Sequence, residues 1–207
     1  MTVSEGCRPL IVRAFTLEWL TVGWMTLEAA VAVVSGVLAH SLSLVAFGVD
    51  SVIELASAFV LMWRLHVELH RGDAFPEEIE ERASRIAAVL LFALALYVVI
   101  GALWGLLHRE GEAFSTVGLA LAIVAMPAMF LLSRAKLHVA AGLHSQALRA
   151  DAAEAIACGY LSLVVAVGLL AMLIFRAWWV DGVTSLAVAF FLLREGREAW
   201  SGDACCD

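Results

Sequence analysis

Basic residues are scarce in this chain and never cluster. Lys and Arg number 13 against 20 Asp and Glu, a formal net charge of −7. No patch of the kind that neutralises a phosphate backbone is present, which excludes nucleic-acid binding. Cysteine is too sparse for a disulfide framework. Of the 4 cysteines, Cys7, Cys205 and Cys206 are terminal, Cys158 lies inside an apolar run, and there is no C-x-x-C. Cys205-Cys206, beside Asp203 and Asp207, read as a tail in preference to a soft-metal site. Residues 1–13 contain Glu5 and lack a basic start followed by an apolar core and a small-residue cleavage site, so a cleaved signal peptide is not expected. No nucleophile–base arrangement, phosphate loop or cofactor fingerprint is found, which argues against an enzyme.

What the chain has in abundance is apolar surface. Hydrophobic residues make up 63% of its 207 residues and the mean hydropathy is +0.93, against about 45–50% apolar residues in soluble domains. That fits one polytopic membrane domain spanning 1–207, with no soluble domain. A spanning helix needs about 20 mostly apolar residues. Six stretches qualify, at about 15–39, 42–65, 83–107, 114–137, 148–175 and 181–200. The connections are short except for the polar segment 66–82, which is rich in Glu. With the N-terminus in the cytoplasm, eleven of the 13 basic residues fall inside and only Arg109 and Arg176 fall outside. The positive-inside rule therefore predicts a cell (inner or plasma) membrane protein with both termini cytoplasmic. Trp178, Trp179 and Trp200 lie near predicted helix ends, as interfacial anchors do.

Two acidic turns interrupt these apolar helices. Asp50 and Glu54 are four residues apart, as are Glu154 and Cys158, so each pair projects from one helix face. His40-Ser41 precedes Asp50 by ten residues, and His144-Ser145 precedes Glu154 by ten. At a constant offset of 104, His40 maps to His144, Leu44 to Leu148, Ala46 to Ala150, Asp50 to Glu154 and Glu54 to Cys158. This register implies an internal repeat of three helices, followed as far as helix two and not beyond, because the segment before helix three is longer than its counterpart. Three is an odd number, so the second repeat enters the membrane from the opposite side, as in secondary transporters with midplane sites. Ten residues of helix rise about 15 Å, about half the hydrocarbon thickness. Asp50 and Glu154 are therefore expected to meet at mid-depth.

An acidic residue within a membrane costs about 2.5–3.5 kcal/mol on insertion scales and by default implies a function. Asp50, Glu54, Glu154 and Cys158 offer three carboxylates and a thiolate. Two i,i+4 pairs suit the tetrahedral geometry Zn²⁺ prefers, and sulfur favours a borderline or soft ion over Mg²⁺ or Ca²⁺. With no Lys or Arg expected at that depth, the carboxylates either bind a metal or take up protons, which is a physical basis for antiport. The alternatives are polar packing for the acids and apolar filling for Cys158. Glu28, near the middle of helix one, is a ligand or proton-relay candidate, and Glu18 is expected to be hydrated. His66 and His70, with Glu68 and Asp73, read as a solvated helix end in preference to a cytoplasmic loading site. Asp151 is expected to pair with Arg149 or to support the site. His40 and His144 read as boundary residues.

The stretch Ser41-Leu42-Ser43-Leu44-Val45-Ala46-Phe47-Gly48-Val49-Asp50-Ser51 resembles the second-helix signature of the cation diffusion facilitator family, with Glu54 at its second acidic position. Arg149-Ala150-Asp151-Ala152-Ala153-Glu154 is similar to the fifth-helix segment, with Glu154 at the usual His and Cys158 at the usual Asp. Trp179-Val180-Asp181-Gly182-Val183 resembles the start of the sixth helix. The resemblance implies efflux of a divalent metal, a homodimer, and a minimal six-helix branch without the family's cytoplasmic C-terminal domain.

The expectation is thus an all-α protein of six transmembrane helices in a 3+3 inverted pseudo-repeat. It exports a divalent transition metal, Zn²⁺ foremost, by proton antiport, with no cofactor besides the transported ion. Its partners are the metal ion, protons and the lipid bilayer. Two other readings stand beside it: a non-transporting membrane metal sensor or partner protein, and a structural module whose acids stay protonated.

Overall fold

The computed structural model describes residues 8–71, 77–108, 114–143, 146–175 and 177–201. They form six helices: α1 (Arg8–Ala39), α2 (Leu42–Arg71), α3 (Glu77–His108), α4 (Thr116–Leu143), α5 (Gln146–Phe175) and α6 (Val180–Ser201). Five of them are long and apolar enough to cross a membrane. The sixth, α6, carries Asp181, Arg194, Glu195, Arg197 and Glu198 within 22 residues.

The helices are longer than the apolar spans because they continue into polar sequence that water can solvate. α2 runs on to Arg71 and α3 opens at Glu77 with acidic residues that suit a helix N-terminus. Most of the expected 66–82 connection is therefore helix. The repeat then extends further than the sequence pattern allowed. α2 and α5 are both 30 residues long and start 104 apart, at Leu42 and Gln146. α1 and α4 end 104 apart, at Ala39 and Leu143, and α3 and α6 start 103 apart, at Glu77 and Val180. Equivalent helices pack in pairs, α1 on α4, α2 on α5 and α3 on α6, giving a 3+3 inverted pseudo-repeat.

The outer surface is apolar, and the interior holds acids among its apolar core. Leu38, Leu107, Leu131, Ile174 and Phe190 are among many exposed hydrophobic side chains. Glu18, Glu28, Asp50, Glu54, Asp151 and Asp181 are buried. That distribution suits a helical bundle in lipid, where backbone groups are satisfied within each helix and polar side chains turn inward. Trp178, Trp179 and Trp200 are exposed at the two ends of α6. His40 terminates α1 in a left-handed conformation (φ 54°). The Ser41 amide donates to the Gly36 carbonyl at 2.9 Å and the His40 amide to that of Val37 at 3.3 Å, the paired bonds of a helix C-cap. His40 is thus a boundary residue; His144 lies outside the described residues.

Glycine brings α1 and α2 together. A Cβ added to Gly48 would stand 2.8 Å from the Val33 backbone nitrogen, and one on Gly36 would stand 2.7 Å from that of Val45. Small residues of this kind let membrane helices approach at the backbone, and here they fix α2 two residues before Asp50. Gly48→Ala should cost about 1–3 kcal/mol through overpacking. Thermal unfolding in detergent would reveal it. Gly105→Ala, where a Cβ meets nothing within 4 Å, should not destabilise.

Candidate metal centre

Six buried carboxylates converge in the interior, and their partners sort them. Asp181, at the start of α6, reaches the N-terminus of α2. Its Oδ1 accepts from the hydroxyls of Ser41 (2.6 Å) and Ser43 (2.5 Å), and its Oδ2 from the amides of Leu42 (3.2 Å) and Ser43 (3.4 Å) and from the Ser185 hydroxyl (3.1 Å). A carboxylate here satisfies amides that a helix start leaves unpaired and complements the helix dipole. The contact ties the first turns of α2 and α6 together.

Glu18 and Asp151 share Lys136. The Lys136 ammonium, on α4, is fully buried, lies 3.3 Å from both carboxylate oxygens of Glu18 on α1, and donates to Asp151 Oδ2 on α5. This corrects three expectations. Glu18 is buried, not hydrated; Asp151 pairs with Lys136, while Arg149 is exposed; and a cation does stand near the acids. Lys136 reads in sequence as a cytoplasmic helix-end charge. Yet it falls on the buried face of α4 with Met129, Leu132, Ser133 and Val139, a periodicity that places it inside.

Glu28 is answered by three donors from three helices. Its Oε2 accepts from Trp24 Nε1 (2.6 Å), and its Oε1 from the Ser51 hydroxyl (2.9 Å) and the Cys158 thiol (3.5 Å). Cys158 is fully buried and part of the core around Phe47, Ala155 and Leu161.

Asp50 and Glu54 remain. Both are buried, and among the described residues none of their four carboxylate oxygens has a hydrogen-bond partner. Asp50 is eight residues into α2 and Glu154 eight residues into α5, so each lies about 12 Å from the start of its own helix. The group that offers ligand atoms within 4.8 Å of one another is Asp50, Glu54 and Glu195. Glu154 and Cys158 lie outside that group. Glu154 instead lines a small cavity of about 10 Å³ with Glu54, Thr21, Met25, Lys136, Asp151 and Ala155, close to the room one water needs.

Glu195, on α6, is absent from the expected ligand set. It is flanked by Arg194, Arg197 and Glu198 and so resembles a solvated helix end. Its α6 register carries the missed signal: Asp181, Ser185, Val188, Leu192 and Glu195 follow one another at spacings of four and three residues, and the first four are buried. His66 is exposed on α2, and the side chains of Glu68, His70 and Asp73 fall outside the described residues, as do Cys205 and Cys206.

This arrangement sits within a matched family model. Residues 19–201 match the cation efflux transmembrane domain. The chain belongs to the cation efflux family, the cation diffusion facilitators. A comparison with curated proteins returns no match. Membership, with the polytopic helical fold, supports a divalent-cation transporter role. In this cation efflux protein the interior acids are accordingly candidates for handling the transported ion.

The Lys136 triad makes a separate, structural prediction. Lys136→Met should cost about 3–5 kcal/mol, because two buried carboxylates lose their counter-charge. Adding Glu18→Gln and Asp151→Asn should restore most of the loss, as the triad is then replaced by neutral groups. Thermal unfolding of the single and triple variants would measure both effects.

Proposed function

We propose that this protein carries a divalent transition metal, Zn²⁺ foremost, out of the cytoplasm in exchange for protons. The observation that carries the reading is the pair Asp50 and Glu54: two buried carboxylates with no hydrogen-bond partner among the described residues, on the helix that resembles the family's ligand-bearing segment. Charges so placed are costly in a membrane unless a cation or protons answer them. A metal ion arriving from one side and protons arriving from the other can occupy the same oxygens in turn, which couples the two fluxes.

Asp50 and Glu54 are the primary ligands in this reading. Glu154 meets the ion from the second repeat, across the cavity it shares with Glu54. Cys158, the fourth expected ligand, acts here through its bond to Glu28. Pseudo-symmetric halves of opposite orientation supply alternating access: rocking one against the other exposes the site first inward and then outward. The distribution of basic residues supports cytoplasmic termini in a cell membrane, and the family resemblance supports a homodimer.

The test is Zn²⁺ flux into proteoliposomes, with and without an imposed pH gradient. Wild type should transport and respond to the gradient. Asp50→Ala should abolish flux, and Glu154→Ala should reduce it strongly. Near-normal flux in Asp50→Ala would sink the ligand assignment. Zinc binding without flux in wild type would instead favour a sensor or partner role.

A further inference from the structure

The transport reading names two orphaned carboxylates on α2 and leaves open what completes their site. A divalent ion bound by Asp50 and Glu54 alone would lack the third protein ligand that even open zinc sites usually have. The group within 4.8 Å supplies it from an unexpected helix: Glu195 of α6.

Register explains why Glu195 arrives there. α2 and α6 begin at the same end of the bundle, joined by the Asp181 contacts to Ser41, Leu42 and Ser43. From Asp181 to Glu195 is fourteen residues, about 21 Å of helix, and from Leu42 to Glu54 is twelve, about 18 Å. Two helices fixed side by side at their starts therefore bring these side chains to nearly the same level. Two basic residues nearby have other carboxylate partners. Arg194 is exposed and bonds Glu198 at 2.9 Å, and Lys136 holds Glu18 and Asp151. Asp50 is fully buried and Glu54 only 6% exposed, and all four of their oxygens lack hydrogen-bond partners among the described residues. An acidic group with its core left bare in this way is arranged for a cation.

We propose that Glu195 is a metal ligand, forming with Asp50 and Glu54 an all-carboxylate site for a divalent cation between α2 and α6. This rests on the transport reading of Asp50 and Glu54 and changes its chemistry. Every protein donor is oxygen, and a fourth position stays open to water or to Glu154. The Cys158 sulfur donates to Glu28 and stays outside the coordination sphere. Zn²⁺ accepts carboxylate oxygens, so zinc remains a fitting cargo, but the site has no sulfur with which to favour Cd²⁺. The bound ion also bridges α2 and α6 at a second point, deeper than the Asp181 contact.

The experiment is calorimetric titration of the purified full chain in detergent with Zn²⁺ and with Cd²⁺, alongside thermal unfolding with and without each metal. The proteins are wild type, Asp50→Asn, Glu195→Gln, Glu195→Asp and Cys158→Ser. Glu195→Gln should weaken Zn²⁺ binding by more than about 100-fold, beyond the range that loss of a supporting partner costs. It should also lose the metal-induced rise in unfolding temperature that binding to the folded state produces. Its metal-free unfolding temperature should match or exceed that of wild type, because a like charge has been removed. Glu195→Asp, which keeps the carboxylate, should bind between the two. Cys158→Ser should leave Zn²⁺ affinity and the Zn²⁺/Cd²⁺ ratio unchanged.

Wild-type affinity in Glu195→Gln alongside lost affinity in Asp50→Asn would overturn the α6 ligand and leave the transport reading standing. A fall in Cd²⁺ affinity in Cys158→Ser would overturn the all-carboxylate sphere. Binding of neither metal by wild type would overturn the site as a whole, and the ligand reading of Asp50 and Glu54 with it.

Discussion

A carboxylate buried in a membrane protein must be answered, and this constraint organises the interior. Asp181 is answered by two hydroxyls and the first amides of α2. Glu18 and Asp151 are answered by Lys136, and Glu28 by Trp24, Ser51 and Cys158. These four acids behave as structural glue: each joins different helices through bonds that lipid cannot replace. Among the described residues, Asp50 and Glu54 are the buried acids with both oxygens left without donors. Their exception is informative because the same interior supplies partners so consistently elsewhere.

The answered acids also decide where the unanswered pair can act. The Asp181 contacts hold the starts of α2 and α6, and the Gly36 and Gly48 contacts press α1 against α2. The Lys136 triad holds α1, α4 and α5 together from the other side of the cavity that Glu54 and Glu154 share. Polar bonds thus flank Asp50 and Glu54, and the small cavity beside Glu54 is lined by Thr21, Lys136, Asp151 and Glu154. Among the described residues none of these groups hydrogen-bonds the two carboxylates. Their charge is left to a cation or to protons, as the proposed transport site requires.

Much of this was legible in the sequence because hydrophobic length and a fixed offset are properties of the chain itself. Six apolar runs gave six helices, and the offset of 104 from His40 to His144 is also the offset between the starts of α2 and α5. Three features were hidden by one assumption, that a charge near a predicted helix end is solvated. Lys136, Glu18 and Glu195 all sit near such ends. Lys136 and Glu18 are buried because their helices continue past the apolar stretch and still pack against neighbours. Asp151 reads in sequence as a partner of Arg149 or a support of the site, and helix geometry turns it towards Lys136 on α4 and the cavity of Glu54 and Glu154. In each case the period of the buried face, not the distance from the helix end, holds the correct information.

The pseudo-repeat is asymmetric in its side chains. α2 and α5 share length and offset, yet the acids they carry differ between halves. Glu54 corresponds to Cys158, whose thiol brings no fixed charge and donates to Glu28. Glu195, on α6, offers a ligand oxygen beside Asp50 and Glu54. Negative charge missing from α5 is therefore present on α6. Two parallel helices tied at their starts gather the acids that two inverted helices would otherwise share. Symmetry of the backbone sets the depth at which the carboxylates lie, and the contacts of Asp181 set which helices bring them together.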